Sequence, residues 1–206
     1  METNWASENL QTIRTIMERS ALYRRALAPL MLSTGIIGLA AAALPQFIPI
    51  RDNRAFAFYW MAVGVTALLL ALLLVRRQAW REQEPFWSLP TRRVTEALTP
   101  PFIAGLAVAV FLIIYGHVFQ SLAWVAASLW IILYGCALNA AGFFTPRGLA
   151  LFGRVLVLLG CGLLLAAPAV PGDVPNAAHF AMGTVFGLGQ MAYGIYLYFT
   201  ERKRHA

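Results

Sequence analysis

The chain has 206 residues, 60% of them hydrophobic and 12% charged, with a mean hydropathy of +0.66 and a formal net charge of +7. So apolar a composition excludes an ordinary soluble globular domain, and the apolar runs are continuous rather than alternating, which excludes a transmembrane β-barrel. The positive charge is no nucleic-acid footprint either, because the arginines flank apolar runs and form no continuous basic stripe.

In chain order, residues 1–26 read as an amphipathic leader outside the membrane. Leu10, Ile13, Met17 and Ala21 share one helical face, and Arg14, Glu18 and Arg25 occupy the other. Leu10, Ile13 and Met17 are the residues expected to touch lipid or a partner protein. Residues 27–199 then hold six apolar windows, at 27–48, 57–75, 101–119, 121–143, 149–170 and 178–199. Each approaches the roughly 20 residues that a helix needs to cross a hydrocarbon core. The predicted fold is therefore all-α, a membrane bundle of six transmembrane helices in three hairpins (1–2, 3–4, 5–6). Spans 1 and 5 share a glycine pattern, Gly35 and Gly38 against Gly160 and Gly162, which leaves an internal hairpin repeat open.

The connections carry the orientation. Arg51, Asp52, Asn53 and Arg54 make a short loop, followed by Tyr59 and Trp60 at an aromatic-belt position. Residues 76–100 form the longest predicted loop, where Trp80, Phe86 and Trp87 alternate with Arg81, Glu82, Glu84, Arg92 and Arg93. That mixture suits a segment lying on lipid head groups, with Trp80 and Trp87 as contacts. Pro100 and Pro101 are expected to open the third span, Thr145 to Gly148 to form a tight turn, and 200–206 to be a basic tail. Fourteen of the sixteen Lys and Arg residues fall on one side of the six windows. By the positive-inside rule both termini are cytoplasmic, and the expected location is a bacterial inner membrane.

Polar groups at membrane depth are the default functional candidates. No Asp, Glu or Lys lies in the middle of a window, which weighs against an ion-coupled transporter. Arg154 stands about two turns inside the fifth window, placed either to snorkel to the head groups or to meet an anion or lipid phosphate. His117 and His179 fall at matched depth near the arginine-poor side, so they are either two unrelated interfacial histidines or ligands to a haem iron or transition metal. Asn139 and Gln190 are amides inside spans 4 and 6, beside small-residue stripes of Gly135 and Gly142 and of Gly183, Gly187 and Gly194. Those stripes suit close helix packing or a ligand cleft. Cys136 and Cys161 lack C-x-x-C spacing and read as packing residues. No phosphate loop, H-E-x-x-H or G-x-S-x-G motif is present, so no standard catalytic constellation is expected, and no cofactor beyond the haem or metal alternative.

The run Glu8–Asn9–Leu10, Ile13–Arg14, Met17–Glu18–Arg19–Ser20 resembles the leader of a family of small, uncharacterised bacterial multi-span membrane proteins, E-N-L-x-x-I-R-x-x-M-E-R. Leu133–Tyr134–Gly135 and Gly142–Phe143–Phe144–Thr145–Pro146–Arg147 are similar to that family's fourth span and following turn. Where relatives carry a histidine in a glycine-rich stretch, this chain has Gln190 after Gly187–Leu188–Gly189. The resemblance implies no activity, only an association with a transcriptional regulator.

The function expected from the residues is non-enzymatic: a sensory, regulatory or scaffold protein acting through its leader and the 76–100 segment. The expected partners are the bilayer, a cytoplasmic regulatory protein and a second copy of the chain, with no nucleic acid. A facilitator or channel for a small neutral or apolar solute is the alternative, with a cavity expected near Asn139 and Gln190. A haem or metal protein using His117 and His179 is the third reading.

Overall fold

The computed structural model describes residues 27–81, 83, 86–87, 89–118, 122–144, 147–167 and 174–202. The leader with Leu10, Ile13 and Met17 lies outside these residues, as do 203–206 of the tail. Among the described residues the chain is helical throughout, with no strand. Five helices are long and apolar enough to cross a membrane. They are α1 (Leu27–Gln46, with a 3₁₀ last turn at Leu44–Gln46), α2 (Asn53–Arg81), α3 (Leu89–Tyr115), α4 (Leu122–Ala141) and α5 (Arg147–Leu165). The sixth apolar window is helical but interrupted: α6 (Val174–Gly183) passes through a π-helical segment, Thr184–Gly189, into α7 (Gln190–Arg202).

The 76–100 stretch differs from the predicted loop. Its first residues continue α2 to Arg81, and residues from Leu89 onward already belong to α3. Pro100 and Pro101 therefore sit inside α3 rather than opening it. Each proline removes one backbone donor from the ladder. Here Pro100 lies at an exposed position, where water or head groups can take up the freed carbonyls. Thr95 and Thr99 also donate their hydroxyls to the carbonyls of Thr91 and Thr95, at 2.9 and 2.7 Å. The Arg92–Glu96 pair, one helical turn apart at 2.8 Å, supports the same polar extension.

Of the three predicted hairpins, 3–4 is a closely packed pair, whereas 5–6 is not. Among the elements from α2 onward, the most extensive interface is α4 against α5, followed by α3 against α4, and α4 also meets α6 and α2. Spans 5 and 6 do not form a comparable pair; α5 reaches the sixth segment chiefly through the stacked rings of Phe152 and Tyr193. Glycine explains the preference. A Cβ on Gly135 would lie 2.7 Å from the Gly153 carbonyl oxygen, one on Gly153 would lie 2.6 Å from the Gly135 carbonyl oxygen, and one on Gly160 would be 3.0 Å from that of Ser128. The two backbones touch directly, as small residues permit. A second seam joins α1 to the π segment and α7. Cβ atoms on Gly35 and Gly187 would lie 2.6 and 2.7 Å from Met191 and Leu39 side chains, and one on Gly194 would lie 2.9 Å from the Leu32 nitrogen. The small-residue stripes are thus packing seams.

Burial is uneven along α2. Asn53, Phe56, Ala57 and Trp60 are buried in its first two turns, but after them only Ala79 is. Leu68, Leu69, Leu72 and Leu73 are exposed, as lipid-facing residues would be. The buried core runs the length of the bundle, from Phe56, Leu112 and His179 near the arginine-poor end through Ile131 to Met31, Leu149 and Leu197 near the other.

Gly135→Val forces two backbones apart and is expected to destabilise the bundle by about 1–3 kcal/mol or more, the usual cost of overpacking. Gly64, which has nothing within 4 Å of its Cβ position, should accept the same substitution without loss. Thermal unfolding of both variants in detergent tests the contrast.

Candidate functional site

Three polar nodes tie the helices together at successive depths. At the arginine-poor end, Asp52 caps α2, its carboxylate accepting the Arg54 and Ala55 N–H groups at 3.1 and 3.2 Å. The next side chain, Asn53, is buried and bridges two other helices. Its Nδ2 donates to the Gly116 carbonyl at 2.8 Å, and its Oδ1 accepts the Ala123 N–H at 3.0 Å. One amide thereby holds the end of α3 and the start of α4, satisfying groups that helix ends leave open. Arg54 donates to His117 Nδ1 at 2.8 Å and to the Ile114 carbonyl at 3.4 Å, a cation at the negative end of α3. His117 is exposed, and the arginine, which can only donate, fixes that nitrogen as the acceptor.

His179 is fully buried. Trp60 donates its indole N–H to Nδ1 at 3.0 Å, and Nε2 lies 3.3 Å from the Ile50 carbonyl. An indole can only donate and a carbonyl can only accept, so the ring is neutral with its proton on Nε2. Phe56 and Tyr59 approach the imidazole edge-on, with centroids at 4.8 and 5.7 Å. His117 is bonded to Arg54, whereas His179 is bonded to Trp60 and Ile50. Among the described residues no group of three His, Cys, Asp or Glu comes together.

The third node surrounds the π segment. Gln190, 4% exposed, donates from Nε2 to the Tyr134 hydroxyl at 3.1 Å and accepts the Thr34 hydroxyl on Oε1. It therefore links α1, α4 and α7. Phe186, within the π segment, packs on Tyr134 with centroids 5.1 Å apart. A π turn adds a residue to the helix and turns the following side chains, a feature found often at functional positions. Here it precedes Gln190 directly. The other amide, Asn139, is half-buried and accepts the Arg154 Nε–H at 3.3 Å. Arg154 is exposed, so its predicted place at the bundle surface is combined with a partner that sequence spacing did not reveal. A cavity of about 300 Å³ opens between α3 and α4, lined by Ala107, Phe111, Leu112, Val125, Ala126 and Leu129 among others. Neither amide lines it.

At the arginine-rich face, Trp80 and Trp87 are 66% and 61% exposed. Arg76 stacks over Trp80 at 4.9 Å, and Phe86 packs beside Trp87 at 6.1 Å. Cys136 and Cys161 are both free and exposed. The sequence singles out Gln190, Asn139, Arg154 and both histidines but gives no sign of Thr34, Tyr134, Arg54 and Trp60 as partners, nor of Asn53 as a bridge between helices. In the sequence Asn53 reads as part of a short loop, and the paired glycines of Thr184–Gly189 are the visible sign of the π segment.

Comparison with known protein families, curated proteins and solved structures finds no match for this chain.

Asn53→Ala leaves the Gly116 carbonyl and the Ala123 N–H without partners, and a loss of about 1–3 kcal/mol in stability is expected. Denaturant titration in micelles measures it. Gln190→Leu should cost less, about 0.6–2 kcal/mol, in line with interhelical hydrogen bonds in membranes.

Proposed function

We propose that this chain is a multi-pass inner-membrane protein of bacterial type with a non-enzymatic role, sensory, regulatory or scaffolding, exercised at its arginine-rich face. The observation that supports this reading is where free and engaged polar groups lie. Within the bundle, Asn53, His179 and Gln190 each have their hydrogen-bonding atoms engaged by neighbouring helices, and Arg154 and Asn139 engage each other. A catalytic or transport site needs polar groups that can exchange a protein partner for a substrate. The arginine-rich face differs in what it exposes. Trp80 and Trp87 expose large aromatic surfaces among Arg76, Arg77, Arg81, Arg92 and Arg93. Aromatic rings interleaved with cations suit head groups or the acidic surface of a partner protein. The facilitator reading receives less support, since the cavity between α3 and α4 is apolar-lined and distant in sequence from both amides.

The leader is the second element of this proposal. Ile13→Glu combined with Met17→Glu should abolish co-purification of a regulatory partner while membrane insertion stays intact, as measured by carbonate extraction. Trp80→Ala with Trp87→Ala should weaken the same association. Partner recovery that is indifferent to all four substitutions would remove the proposal.

A further inference from the structure

The start of α5 collects positive charge and hydrogen-bond donors with no counter-charge among the described residues. Helix α5 begins at Arg147 on the arginine-rich face. Its first-turn N–H groups have no partners inside the helix and carry the positive end of the dipole. Two neighbouring helices add to this. From α7, Tyr193 stacks on Phe152 with centroids 4.6 Å apart and planes 5° apart. The stack brings its hydroxyl to the first turn of α5, where a Cβ on Gly148 would lie 3.2 Å from the oxygen. Tyr193 is 9% exposed, and among the described residues its hydroxyl is the buried side-chain oxygen left with no hydrogen-bond partner. From α3, Arg93 lies over the Phe144 ring at 5.8 Å, in the turn leading into α5. Its neighbour Arg92 is paired with Glu96, whereas Arg93 has no carboxylate partner among the described residues.

A buried hydroxyl without a partner is costly, and more so at the edge of a hydrocarbon layer. A cation set beside the positive end of a helix adds repulsion. Both penalties are relieved by one anion. We propose that the start of α5 is a binding site for a phosphate-bearing anion. The first-turn N–H groups, the Tyr193 hydroxyl and the Arg93 guanidinium supply the donors. The chemistry is that of an anionic phospholipid head group or of free inorganic phosphate. It stands independently of the regulatory role proposed above.

The test uses the full-length protein in maltoside micelles, titrated separately with phosphatidylglycerol, phosphatidylcholine and inorganic phosphate. Bound ligand is counted by native mass spectrometry. One equivalent of phosphatidylglycerol or of inorganic phosphate is expected to bind, and the probe that does so identifies the source. Tyr193→Phe and Arg93→Gln should each weaken that binding about tenfold, the scale of one charge-assisted hydrogen bond. Arg51→Gln, on the opposite face, should bind as the parent does. Tyr193→Phe keeps the stacked ring, and its ligand-free thermal unfolding should match the parent, which separates lost binding from lost folding. The proposal is overturned if neither anion binds, if both variants bind like the parent, or if phosphatidylcholine binds as well as phosphatidylglycerol.

Discussion

Backbone-to-backbone contact between helices organises this bundle. In a hydrocarbon layer there is no hydrophobic force to press apolar helices together, because lipid tails are as apolar as leucine side chains. Association depends on how closely two helices approach, and that depends on residues without bulk. Gly135, Gly153 and Gly160 bring α4 and α5 into direct contact, and Gly35, Gly187 and Gly194 do the same for α1 with the π segment and α7. Away from these seams the packing loosens: most of α2 beyond Trp60 faces outward.

The polar side chains then act as struts at chosen depths. Asn53 ties three helices at the arginine-poor end, Trp60 and His179 hold α2 to α6 beneath it, and Gln190 joins α1, α4 and α7 beside the π segment. Each strut satisfies groups that would otherwise be stranded in a low-dielectric medium, where leaving them open costs most. The same economy shapes the functional reading. Residues that looked like ligand or metal candidates in the sequence are the ones the fold engages internally. The exposed rings of Trp80 and Trp87 and the unpartnered buried hydroxyl of Tyr193 lie instead toward the arginine-rich end.

The all-helical, membrane-spanning character was legible in the sequence because it rests on local quantities. Apolar run length reports spanning ability directly, and five runs became helices of spanning length. The glycine stripes were legible as packing surfaces for the same reason, since a missing side chain is a local fact. The ends of helices were less so. Pro100 and Pro101 read as a boundary, yet α3 continues through them, with Pro100 at an exposed position and the Arg92–Glu96 pair on the preceding turn.

Partner choice lay beyond the one-dimensional pattern. Nothing in the spacing of Gln190 points to Thr34, 156 positions away, nor does His179 announce Trp60 at a separation of 119. The predicted pairing of α3 with α4 holds, but α4 packs still more extensively on α5, its other neighbour in the chain, because the glycines of that seam bring the two backbones into contact. From its sequence alone this protein is an apolar, helical, strongly sided chain, since hydrophobic length and charge placement act residue by residue. Which helices touch, which polar groups are consumed and which remain free at the arginine-rich face were decided only in three dimensions, where donor and acceptor geometry and backbone clearance apply.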